Sequence, residues 1–194
     1  MQTTDHIERG AEYYDEIYRR GYDTSGYYPL YRIVMQLLDR YHNPRVLELG
    51  CGIGDLGRLI IEKGYPYRGL DFSEEAVQQC RARCPEGDFR LGDVYNPDDY
   101  RPCDYNVVVA LEVLEHVDDL QLVQNIPFGA RLVASVPNYD DAAHLRLYHD
   151  PQKDIVERFR PYLHVVEVGS ATSDQLVRGI RPTIHIFSGI RIIP

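Results

Sequence analysis

Val46-Leu47-Glu48-Leu49-Gly50-Cys51-Gly52-Ile53-Gly54 is an aliphatic run broken by one carboxylate and then by three glycines at alternate positions. A short apolar run closed by glycines reads as a buried strand entering a tight turn. Without a Cβ, the glycines let the backbone turn sharply and approach a ligand closely. Asp55 to Lys63 follows with Leu56, Leu59 and Ile60 on one helical face. The loop therefore ends at a helix N-terminus, whose free amides favour an anionic ligand group.

Downstream, the same strand and helix alternation continues. Tyr67 to Leu70 reads as a second strand, and Ser73 caps a helix carrying Glu74 and Glu75 in its first turn. Pro85 stops that helix. Phe89 to Leu91 fits a third strand and Asn106 to Leu111 a fourth, followed by a helix from Leu120 to Ile126 and a fifth strand from Leu132 to Val136. This alternation marks βαβ units on a parallel sheet. The tail differs: a short helix from Pro151 through Phe159, a strand from Leu163 to Val168, a polar loop, then a strand from Thr183 to Ile193. Two strands with no helix between them predict an antiparallel pair, with Ile184, Ile186, Ile190 and Ile192 on one face of the last. Upstream, Ile7, Ala11, Tyr14 and Tyr18 recur at helical spacing, and Leu30 to Tyr41 gives a stronger helical stripe. The expected fold is a Rossmann-like doubly wound α/β sheet, mostly parallel with an antiparallel last strand. An N-terminal helical cap over residues 1–43 would precede a compact domain over 44–194.

Composition bounds the function. The 194 residues include 44% hydrophobic and 26% charged residues, ordinary for a globular chain, and a net charge of −9 offers no general field for nucleic acid. The acidic N-terminal residues do not resemble a signal peptide, and no apolar run suits a membrane helix. Cys51, Cys80, Cys84 and Cys103 lack zinc-finger spacing, and Cys80 with Cys84 reads as buried thiol on a helix rather than a metal or metalloid site. We expect a cytoplasmic protein, monomer or homodimer, with no metal, membrane or nucleic-acid partner.

The glycines fit two cofactor classes. Gly50, Gly52 and Gly54 form GxGxG, but Gly52 to Gly57 also satisfies the dinucleotide pattern GxGxxG, and Asp71 stands about 20 positions on, as either class requires. Glu48 separates them. A carboxylate inside a buried strand needs a partner. A cationic ligand group would suit it, whereas pyrophosphate would be repelled; bonds from the loop amides are the plainer alternative.

Taken together, these segments resemble the class I S-adenosylmethionine-dependent methyltransferases. Glu48 to Gly54 matches that family's first motif, E/D-x-G-x-G-x-G, including Gly50, Cys51, Gly52 and Gly54. Asp71 looks like the acid that takes the ribose hydroxyls, Phe72 like the adenine contact, and Gly92-Asp93-Val94 like the motif whose aspartate accepts from the adenine amino group. Ala110 to Val117, with Glu112 counted toward the cofactor, resembles the fourth motif of the ubiquinone-biosynthesis-type branch, and Ser135 to Asn138 follows as in many of those enzymes. The resemblance spans Arg45 to Asn138 and implies S-adenosylmethionine as cofactor, S-adenosylhomocysteine as product and a small-molecule acceptor attacked at O, N or C.

Such chemistry relies on positioning and needs a base only where the nucleophile must lose a proton. His116 and His144 are the candidates. Tyr18 and Arg146 are candidate substrate contacts, and Tyr13 could reach the cofactor carboxylate. A non-catalytic S-adenosylmethionine-binding partner or regulatory module is the alternative reading.

Overall fold

The computed structural model describes residues 7–100, 104–172 and 182–193. Cys103 and most of the polar loop before the last strand lie outside them. Among the described residues are five α-helices: α1 (Ala11–Arg19), α2 (Tyr28–Asp39), α3 (Asp55–Glu62), α4 (Glu74–Arg83) and α5 (Asp119–Asn125). The strands are β1 (Val46–Leu49), β2 (Tyr67–Asp71), β3 (Phe89–Leu91), β4 (Val107–Leu111), β5 (Arg131–Pro137), β6 (Leu163–Thr172) and β7 (Thr183–Arg191). They form one sheet in the order β3-β2-β1-β4-β5-β7-β6, and the reversal at β1 and β4 is that of a doubly wound fold. β1 pairs β2 and β2 pairs β3 in parallel, whereas β7 runs antiparallel to both β5 and β6. The expected antiparallel end is therefore present.

The chain divides into two compact units: Gly10–Val109, and the residues after Val109 with the few before Gly10. In the first, β1 and β2 are buried along their whole length, as covered parallel strands must be. Pro29 opens α2, which buries Leu30, Tyr31, Val34, Leu37 and Leu38. Ser73 caps α4 by accepting from the Ala76 amide at 3.1 Å.

In the second unit, Asp118 caps α5 by accepting from the Gln121 amide. The helix expected after Pro151 is present but π-wound over Pro151–Glu157. Phe159 beyond it stacks on Phe187 of β7, their centroids 5.6 Å apart. β7 lies between β5 and β6; His185, Phe187 and Arg191 on one of its faces are buried, as is Ile186 on the other, while Ile184 and Ile190 are half-buried. Ile7 does not belong to the first helix: α1 begins after the extended Gly10, and Ile7 is exposed.

Candidate functional site

Gly50, Gly52 and Gly54 all have positive φ (66°, 54° and 81°), the region in which a side chain is strained. Gly54, in the left-handed conformation, is the N-cap of α3. Its missing Cβ also makes room for Cys80 Sγ and the Phe89 ring. Cys80 in turn donates to the Gly52 carbonyl at 3.0 Å, and a bond to Cys80, with burial, pushes the Cys51 thiol well up. These thiols pack the underside of the loop.

Glu48 is buried in β1, and its partner is neither a cation nor a loop amide. The Tyr67 hydroxyl, from β2, donates to Glu48 Oε2 at 2.5 Å. Tyr67 and Gly69 share a face of β2, with Gly69 directly opposite Glu48 in the register. A Cβ on either Gly69 or Gly57 would collide with the tyrosine hydroxyl. Gly57, which completes the dinucleotide pattern in the sequence, is thus accounted for by a packing need of its own. Burial, with the negative charges of Asp71 and Asp55, raises Glu48 to about 8 against the opposing pull of Tyr67. The carboxyl sits among acids, where a cation would relieve it.

Asp71 ends β2 and ties the loop down. Its Oδ2 accepts from the Gly52 amide at 2.8 Å and its Oδ1 from the Ser73 amide at 2.9 Å, while burial raises it to about 6. Asp15 of α1 extends this chain of contacts, accepting from the Ser73 hydroxyl at 2.6 Å and the Glu75 amide at 3.1 Å. Asp15 was not singled out in the sequence; its acceptance at the start of α4 is a helix-terminus interaction visible only after folding. Gln79 of α4 donates to the Tyr18 carbonyl, and the Tyr18 hydroxyl lies 3.2 Å from where a Gly52 Cβ would be. Tyr18, read from the sequence as a substrate contact, therefore lies against the glycine loop. Burial and the nearby Asp71 charge raise its phenol well up.

Phe72 and Tyr13 are partly exposed, at 40% and 41%. Tyr14 packs between them, 5.2 Å from each ring centroid. Asp93 is exposed; its Oδ1 accepts from the Tyr95 amide, and its own amide donates to Asp99, while the Val94 carbonyl accepts from the Tyr100 hydroxyl. Both therefore sit in a tight turn after β3. Glu48, Gly50, Cys51, Gly52, Gly54, Asp71, Phe72, Asp93, Val94, Tyr13 and Tyr18 all belong to the first unit.

Glu112, His116, His144 and Arg146 belong to the second. Glu112 has φ 53°, a strained conformation held by its amide donating to Ser135 and its Oε1 accepting from the Ser135 hydroxyl at 2.7 Å. Burial pushes Glu112 up to about 7. Glu115 is fully buried, and burial with the Glu112 charge raises it well above the usual carboxyl range. His116 donates through Nδ1 to the Ala143 carbonyl and His144 through Nδ1 to the Tyr139 carbonyl, each at 3.0 Å; the rings meet edge to face at 4.9 Å. Burial lowers His116 to about 4, so it is neutral at neutral pH. Arg146 is paired instead with the buried Asp119 at 3.4 Å, which Arg158 clamps at 2.6 and 2.7 Å and the Tyr148 hydroxyl meets at 2.7 Å.

Residues 47–126 match a family described as a methyltransferase domain. The chain is 30% identical over 118 residues to the ubiquinone biosynthesis O-methyltransferase of Yersinia pestis, covering 55% of this chain and 49% of that protein. It is 32% identical over 85 residues to the same enzyme of Idiomarina loihiensis, covering 42% of this chain and 35% of that one. It spans at most about half of these curated relatives. Two solved structures share the fold: a Haloferax volcanii methyltransferase in complex with the Trm112 activator, with a TM-score of 0.68 at 19% identity, covering 92% of this chain and 97% of that one. The second is magnesium protoporphyrin IX methyltransferase of Synechocystis with bound SAM, with a TM-score of 0.65 at 19% identity, covering 93% and 94%. Residues 47–126 are thus similar to a methyltransferase domain, and the chain shares the fold of solved methyltransferases.

The residues around the glycine loop fit S-adenosylmethionine, the cofactor that the sequence resemblance implies. Three positive-φ glycines turn the chain tightly between β1 and α3, and behind them stands a buried carboxylate with acidic neighbours. Nothing about Gly57 favours a nicotinamide dinucleotide once Tyr67 accounts for it. Among the described residues, no helix is long and apolar enough to cross a membrane.

Proposed function

We propose that this chain transfers the methyl group of S-adenosylmethionine to an O, N or C atom of a small-molecule metabolite. The observation that carries the reading is Glu48, a buried carboxyl among acids at the strand end that feeds the glycine cradle. Bound there, the cofactor supplies a methyl group activated on a positively charged sulfur. Glu48 holds the cationic amino-acid end, and Tyr13 the cofactor carboxylate. The second lone pairs on Asp71, whose first ones fix Gly52 and Ser73, accept from the ribose hydroxyls. Phe72 covers the adenine, and Asp93 with Val94 meets its polar edge. The similarity to ubiquinone biosynthesis O-methyltransferases supports a small-molecule acceptor. The test is methyl transfer from labelled S-adenosylmethionine to a panel of phenols, catechols, amines and activated carbon acids. Turnover of one class supports the proposal; labelling of RNA or protein with none of the panel methylated would overturn it.

A further inference from the structure

We propose that Glu115, His116 and His144 form a binding site for a divalent transition-metal ion. One ligand atom from each can be chosen so that all lie within 4.8 Å of one another. Three features argue that the cluster is built for a cation rather than assembled by chance.

The first is Glu115. Both its carboxylate oxygens are buried and neither accepts a hydrogen bond from another residue, although His116 Nε2 lies 3.7 Å from Oε1. Folded proteins pair nearly all such groups, so an exception calls for an occupant. The second is the pair of imidazoles. A carbonyl oxygen can only accept, so each Nδ1 bound to one carries the proton, and each Nε2 carries the lone pair. Fixing the ring and tautomer of a histidine through its other nitrogen is the usual support of a metal ligand. The third is the backbone around them. Asp141 accepts from the Ala143 and His144 amides, and the Leu145 amide donates to the Glu115 carbonyl at 2.6 Å. Ala143 thus orients the His116 ring while the next residue presents a ring of its own.

Two neutral imidazoles and a carboxylate suit zinc, iron(II), cobalt(II) or manganese(II) better than magnesium or calcium, which prefer all-oxygen shells. Three protein ligands also leave positions open for water or a substrate oxygen, as in catalytic rather than structural sites. Asp119 is not a fourth ligand, because Arg158, Tyr148 and Arg146 occupy it. The sequence conceals the site, since His144 reaches Glu115-His116 only across β5.

The test is cobalt(II) titration of the untagged, chelator-stripped protein. The expected result is one equivalent bound, with visible d–d bands, no intense thiolate-to-metal band, and two exchangeable hyperfine-shifted NMR signals from the imidazole Nδ1–H groups. Glu115→Gln and His144→Ala should each weaken binding by about tenfold or more. Absence of binding, a thiolate band, or no shifted N–H signals in the wild-type protein would overturn the proposal, whether or not the variants fold. Unchanged affinity in both folded variants would overturn it equally.

Discussion

The Tyr67 hydroxyl donates to Glu48 across the β1–β2 pair, and it occupies space that Gly57 and Gly69 leave open. One tyrosine thus links the buried acid of the cofactor loop to two glycines that have no ligand to meet.

Gly57→Ala should therefore destabilise the protein. In an exposed helix this change gains up to about 1 kcal/mol. Here the new methyl would strike the buried Tyr67 ring, and overpacking costs about 1–3 kcal/mol. The expected net effect is a loss of roughly 1–2 kcal/mol in urea unfolding. A more stable variant would show that the tyrosine can step aside.

Glu48 sets a pH dependence. Its folded pKa of about 8 exceeds the ordinary 4.5, so the folded protein holds a proton that the unfolded chain releases. This contribution is harmless below pH 4.5, grows more unfavourable as pH rises toward 8, and is constant above. Glu112, at about 7, and Asp71, at about 6, act with the same sign over narrower windows. Glu48→Gln keeps an acceptor for Tyr67 and removes the titration. It should match the wild type near pH 5 and exceed it by roughly 2–4 kcal/mol at pH 8. Equal stability at both values would mean that Glu48 is ionised without cost.

Asp71→Ala removes both the anchor of Gly52 and Ser73 and the proposed ribose acceptor. S-adenosylhomocysteine binding should weaken by roughly 1.5–3 kcal/mol in calorimetry, the scale of hydrogen bonds to a charged group. Unchanged affinity would refute the assignment of β2.

Asp119→Ala should cost about 3–5 kcal/mol, because it strands the Arg158 and Arg146 guanidiniums beside a buried tyrosine. Chemical denaturation measures this, and a loss below about 1 kcal/mol would mean that solvent readily takes over.

Much of this architecture is legible in the chain because it is local. The β1 run, the glycines after it, the Ser73 cap and the branched Val107-Val108-Val109 strand each announce themselves within a few residues. The antiparallel end follows from two strands with no helix between them. What stays hidden is pairing across the sheet. Nothing near Glu48 points to Tyr67, nor anything near Asp15 to Ser73, and Gly57 looks like part of a ligand motif until its neighbour is seen. Arg146 looks available for a substrate carboxylate until Asp119 is placed beside it.

The most direct measurement is calorimetric titration of S-adenosylmethionine into wild type and Glu48→Gln between pH 6 and pH 8.5. Wild-type binding should tighten toward pH 8 with release of a proton, as the cationic ligand draws Glu48 into its charged form, and binding by the variant should be weaker and should lack that rise. No binding by the wild type, or a variant with the same affinity and pH profile, would contradict it.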